Sequence, residues 1–308
     1  MLHTKMFAVA GLLIACPLFM GAQDLETYYQ SLQGAVAKKD VATVKKLAGE
    51  TSAKAREELA TPMPDGADKD AFAKRQKFVK DIDKYSEYAL YTMAVQSPAE
   101  TQIDLFVTLE AQNPKSQYLD EGFGAYLVAL TQAGKASTIP AVAEKALKNL
   151  PDQEDLLLYM ADAALRGQRM PQCGAYAERL LVALAKAPKP ETIPAADWEK
   201  KKTMMRGRAH WMAGMAHAAR QDFVGANQDL RAALPLISGV PEMTASALFQ
   251  LGIANYQLGR QSVNRAQILE GAKFSEQCAA IPGQYQQQAW TNAHAMKKEA
   301  DAMVARKR

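Results

Sequence analysis

From residue 24 onward, apolar side chains return every three or four positions, and β-branched runs are almost absent. That rhythm predicts helix after helix and no sheet. The first two helices are DLETYYQSLQGAVAKK and VATVKKLAGETSAKAREELA within 24–60, divided near Asp40, which suits the cap of the second. TPMPDGADKD (61–70) combines two prolines, a glycine and acidic residues into a loop, and 71–95 then resumes as one long amphipathic helix. Residues 118–135 and 137–153 read as a helix pair. In its second member Thr138 is placed to cap, Pro140 suits the first turn, Ala143, Leu147 and Leu150 form the apolar stripe, and Pro151 ends the helix. A second break, APKPETIPAADW (187–198), carries three prolines and separates a hairpin ending near Ala185 from one beginning near Lys200. The last helix, 284–308, is polar on one face and is expected to cap what precedes it.

The placement of small residues says how these helices pair. In 206–235, Gly214 and Ala226 lie twelve apart, Leu230 and Ala233 follow on the same stripe, and Phe223 falls at the turn. Residues with almost no side chain let two antiparallel helices approach closely, and one such hairpin cannot bury its own apolar face, so neighbours must stack on it. Residues 154–181 keep the plan with Ala161, Cys173, Ala177 and Leu180, which makes Cys173 a small packing residue. Residues 246–282 repeat it with Leu251, Gly252, Tyr256, Ala272 and Ala279. There the step from glycine to alanine is eight residues longer, through extended helices or a longer turn around Gly259 to Asn264. Taken together, 85–282 resembles the tetratricopeptide repeat family, and Pro114, Ser116 and Tyr118 resemble a junction found in its exported members. The resemblance implies an all-α fold: a right-handed superhelical solenoid of antiparallel hairpins, with N-terminal helices and a C-terminal capping helix.

The N-terminus adds a compartment. MLHTKMFAVAGLLIACPLFMGAQ places Lys5 before an apolar run from Met6 to Met20, followed by Gly21 and Ala22, which is the layout of a secretory signal peptide cleaved after Ala22. The run is short for a membrane span and has no cationic stop on its far side, so no transmembrane span is expected in the mature chain. Leu13-Ile14-Ala15-Cys16 also resembles a bacterial lipobox, which offers a second reading with Cys16 lipidated, although Pro17 and the apolar Leu18-Phe19-Met20 follow directly. The expected organisation is therefore a signal peptide over 1–22, an N-terminal helical region over 23–84, repeats over 85–283 and a cap over 284–308. The expected destination is the periplasm, with an outer-membrane lipoprotein as the alternative.

Composition changes the picture only at the margins. The 308 residues are 48% hydrophobic with few aromatics, enough for a large helical core. Net charge is +4, and loss of Lys5 on cleavage leaves +3, which does not point to nucleic acid. The basic groups at 200–208 and 305–308 read as solvated helix termini. Cys173 and Cys278 fall in second helices of separate hairpins, and two buried free thiols are expected.

Catalytic patterns are poor: there is no His-Glu-x-x-His, no Gly-x-Ser-x-Gly and no phosphate-binding glycine loop. His210 and His217 share a helix face but lie roughly 10 Å apart along its axis, and the repeat register places both on packed positions. Asp152, Glu154 and Asp155 suit the positive end of a helix dipole. No enzyme, metal or cofactor is expected. The resemblance implies instead that first helices line a concave groove. Carried onto this chain, it gives Leu158, Asp162 and Leu165, then Arg208, Trp211, Met215 and Ala218, then Phe249, Ile253 and Tyr256. Such a groove, largely apolar with an aromatic wall, fits a protein or peptide partner. The Lys and Asn clamp with which some members hold a C-terminal carboxylate is missing. Two alternatives remain: a lipid-anchored assembly subunit through Cys16, and a small-molecule binder or enzyme with its site near the 187–198 insertion and the polar N-terminal helices.

Overall fold

The computed structural model describes residues 22–305 and, among them, thirteen α-helices, one 3-10 turn and no strand. The segment through residue 21, including Cys16 and nearly all of the expected signal peptide, lies outside the described residues, as do 306–308. The chain forms two compact units, one ending at Gly122 and one beginning at Phe123. The first holds α1 (Ala22–Ala37), α2 (Val41–Ala60), α3 (Lys69–Val95), α4 (Ala99–Gln112) and the start of α5 (Gln117–Gln132). Asp40 caps α2 as its position suggests, accepting from the Thr43 amide at 3.1 Å, and Ser116 caps α5 through the amides of Tyr118 and Leu119. Leu25, Tyr29, Ala55, Val79 and Ile82 form a core shared by α1, α2 and α3. The boundary expected at 84/85 falls inside α3, which runs unbroken.

The second unit continues α5 and adds α6 (Ile139–Ala146), α7 (Glu154–Arg166), α8 (Met170–Lys186), α9 (Ala195–Ala219), α10 (Phe223–Ile237), α11 (Pro241–Gln261), α12 (Arg265–Ala279) and α13 (Gln286–Ala305). Each helix from α7 onward packs on the next, and α7, α9, α11 and α13 also pack side by side. Odd-numbered helices thus make one wall. Cys173, Ala177, Leu180, Ala161 and Met212 are fully or almost fully buried between α7, α8 and α9, while Ala226, Leu230, Ala233 and Leu251 fill the space between α10 and α11. On α13 the buried residues are Ala289, Ala293, Met296 and Ala300, one stripe of a helix that is polar elsewhere.

One bend recurs at the hairpins. Lys39, Gly134, Gln168, Gln221 and Val263 each have positive φ, and each is followed by a residue whose amide bonds back five positions, as from Asp222 to His217 O (3.0 Å) and from Asn264 to Gly259 O (2.7 Å). This is the Schellman ending, which turns the chain within two residues and leaves the next to cap the following helix. Asp222 and Asn264 then accept from the Gly225 and Gln267 amides. The turn after α11 is therefore no longer than the others, and the extra eight residues after Gly252 lie in longer helices.

Several local expectations are corrected. Thr138 occupies the cap position of α6 but donates to Lys135 O instead of capping, and α6 ends at Ala146, short of Pro151. The proline loop ends at Pro194: Ala195 to Trp198 form the first turn of α9, with Trp198 only 2% exposed. Residues 200–208 consequently lie within a helix rather than at a solvated terminus.

Candidate functional site

The side of α9 facing its odd-numbered neighbours carries Lys201, Met204, Arg208, Trp211 and Met215, alternating three- and four-residue steps that keep them on one stripe. Across from it α7 presents Asp155, Leu158, Asp162 and Leu165, and α11 presents Ser246, Phe249, Ile253, Tyr256 and Arg260. The predicted groove residues thus fall on three adjacent helices, and many of them are used to join those helices. Arg208 pairs with Asp162, and Lys201 with Asp155 at 2.7 Å. Trp211 Nε1 donates to Ser246 Oγ at 2.9 Å, and Tyr256 OH donates to Glu299 of α13 at 2.6 Å. Phe249 packs on Tyr285, ring centroids 4.9 Å apart.

This wall departs from the expected groove in two ways. Leu158 is 8% exposed and belongs to the core between α7, α8 and α9. The face is also less apolar than expected, because Asp155, Asp162, Lys201, Arg208, Arg260 and Glu299 line it as ion pairs. Leu165, Trp211, Met215 and Ala218 are half-buried against the two core clusters, and Trp211 touches both. Met204 lies on the same stripe and is 46% exposed.

The chemistry-bearing residues elsewhere have structural partners. His210 Nδ1 lies 2.9 Å from Asp229 Oδ1, and His217 Nε2 lies 3.4 Å from the other oxygen, so one carboxylate of α10 bridges the two histidines. Both histidines are partly buried, and the carboxylates around His217 also include the exposed Asp222 and Glu178. The Gly225 amide is the main cause holding the Asp222 carboxyl below the usual range, with His217 and Arg220 adding to it. Glu154 and Asp155 face Lys201. Cys173 and Cys278 are buried free thiols, and burial pushes both up to about 11, with Asp162 adding to the effect at Cys173. Among the described residues no three His, Cys, Asp or Glu side chains are placed to hold a metal ion, and no helix is long and apolar enough to cross a membrane.

A second surface, in the first unit, was not expected. Tyr85, Tyr88 and Tyr91 run obliquely across α3, with Tyr29 of α1 meeting Tyr85 (5.1 Å between ring centroids) and Tyr118 of α5 meeting Tyr88 (5.4 Å) and Tyr91 (5.9 Å). Tyr29 and Tyr118 are buried, whereas Tyr85, Tyr88 and Tyr91 are half-buried. Burial, with the neighbouring phenols of Tyr29 and Tyr88, pushes the Tyr85 hydroxyl up to about 12. The sequence signal is KYSEYALY (84–91), where three tyrosines recur at three-residue steps, outside the hairpin spacing of the later helices. No model of a known protein family matches this chain, and no curated protein matches it.

Proposed function

We propose that this chain is an exported, non-catalytic binding module whose tetratricopeptide-like hairpins stack as a right-handed superhelical solenoid and hold a peptide or protein partner against the odd-numbered helices. The supporting observation is the side-by-side packing of α7, α9, α11 and α13, with hairpins built on one repeated bend. When first helices adjoin and second helices do not, the first-helix side is the shorter arc and becomes concave. Met204, Arg208 and the exposed edges of Trp211 and Met215 supply apolar area and one orienting charge there. Truncating Trp211 or Tyr256 removes helix contacts as well as partner contacts. The cleaner variant is Met204→Glu alone, at an exposed position outside the ion pairs that join the helices, in which the stack should remain folded and partner capture from the cell envelope should fall about tenfold or more. Undiminished capture by that folded variant contradicts the reading. Export is tested separately by mass spectrometry of the mature N-terminus. A first residue at Gln23 is expected, and an acylated Cys16 would replace simple secretion by a lipid anchor.

A further inference from the structure

We infer that the edge of the second unit formed by its hairpin turns is a docking surface for an anionic phospholipid bilayer. Lys201 pairs with Asp155 and Arg208 with Asp162, in the same order along both helices, so α7 and α9 run parallel. Since α10 packs on both α9 and α11 through short turns, α11 runs parallel to α9. The turns after α7, α9 and α11 therefore lie side by side, at steps of roughly 10 Å, the spacing of packed helices. Val263 is the anomaly on this edge. It has φ of 50° and is 70% exposed, whereas the equivalent position of the other bends is Lys39, Gly134, Gln168 or Gln221. A β-branched side chain gains nothing for the fold there, because the conformation disfavours it and little covers it. Strain kept without a folding benefit points to a function. Val224, just after the preceding turn, is 64% exposed, and these two are the most exposed large apolar side chains among the described residues.

Charge selects the occupant. The same three turns carry Arg166 and Arg169, then Arg220, then Arg260 and Arg265, all exposed. The carboxylates at this edge are already matched: Asp222 by His217 at 2.6 Å, Glu299 by Arg260 at 3.3 Å and Asp301 by Arg265 at 3.2 Å. Arg166 and Arg169 have no carboxylate within ion-pair distance among the described residues, and Arg220 bonds to the His217 ring at 3.0 Å. Helix dipoles account for Arg166, Arg220 and Arg260, which end their helices. They do not account for Arg169 and Arg265, which open α8 and α12, where a cation is disfavoured. The unit as a whole is basic, with 20 Lys and Arg against 16 Asp and Glu over 123–305. An acidic protein would satisfy the arginines but would need an apolar seat for each valine. An anionic bilayer supplies both, lipid phosphates for the guanidinium groups and the acyl boundary for the valines.

The test is sedimentation of the mature chain with vesicles of phosphatidylcholine, either alone or mixed equally with phosphatidylglycerol. Binding should be about tenfold tighter or more on the mixed vesicles and should weaken as salt is raised. Arg166→Gln with Arg169→Gln, which breaks no ion pair, should lower that affinity about tenfold. Val263→Gly suits the left-handed bend, so the variant stays folded, and it should lower the affinity about threefold. Equal binding to both kinds of vesicle, no binding to either, or an affinity unchanged in either variant overturns the inference. So does binding that is lost in Met204→Glu and kept in the edge variants, which would place the lipid on the odd-helix face. That face and this edge are probed by different residues, so the two readings fail separately.

Discussion

Val263 is 70% exposed at the bend between α11 and α12 with φ of 50°, a backbone region that β-branched residues avoid. Its side chain contributes little there, so Val263→Gly should raise stability by about 1 kcal/mol, read as a higher urea midpoint at unchanged slope. Loss of stability would mean that the bend is not left-handed. Asp222 behaves differently because its value lies in its charge. Its carboxyl is held below 3.8 in the folded chain, so its contribution is present above about pH 4 and disappears as pH falls through the lowered value. Asp222→Ala should therefore cost about 1 kcal/mol at pH 7 and progressively less as the pH falls below 3.8. An equal cost across that range would exclude the charged cap. Cys173 and Cys278, raised to about 11, should resist thiol reagents in the folded protein at pH 8 and react only after denaturation. At this scale the sequence is an uneven guide. Asp40 caps as its position suggests, whereas Thr138 has the right residue type and turns its hydroxyl to Lys135 O.

Helices are legible where one pattern controls both their length and their packing. Gly214 lies against Leu230 as its spacing predicts: a Cβ there would come within 2.5 Å of the leucine side chain. Gly207 and Gly259 do the same against Leu236 and Ile268, and pair with Gly214 and Gly252 at seven-residue steps. These close approaches were harder to see, because a helical glycine carries no sign of whether a neighbour fills its space. Gly49, inside α2, has nothing within 4 Å and shows the difference. Gly49→Ala should stabilise by about 0.5–1 kcal/mol through helix propensity alone. Gly214→Ala should destabilise by about 1–3 kcal/mol through overpacking, despite the same gain in propensity. The same sign for both in thermal unfolding would contradict the α9–α10 packing. The start of α9 is obscured in the sequence for a related reason: the three prolines advertise a loop, but Pro194 sits where a helix can begin and Trp198 is already in the core.

For the molecule as a whole, periodicity conveyed the all-helical fold, and small-residue spacing conveyed which helices form hairpins. The composition of the walls was less legible. Residues such as Asp162 and Arg208 point the same way whether they face a partner or each other, and only the packing of α7 on α9 brings them together. The tyrosine stripe is harder still, since Tyr29, Tyr85 and Tyr118 come from three helices far apart in sequence. The central claim, that a partner lies against the odd-numbered helices, is tested most directly by site-specific photo-crosslinking in the native cell. A photoreactive side chain would be placed at Met204 on α9 or, as the control, at Val224 on α10, exposed at 46% and 64% respectively. A discrete crosslinked protein from position 204 and none from position 224 is the predicted result. Equal crosslinking from both positions, or crosslinking from 224 alone, would contradict it.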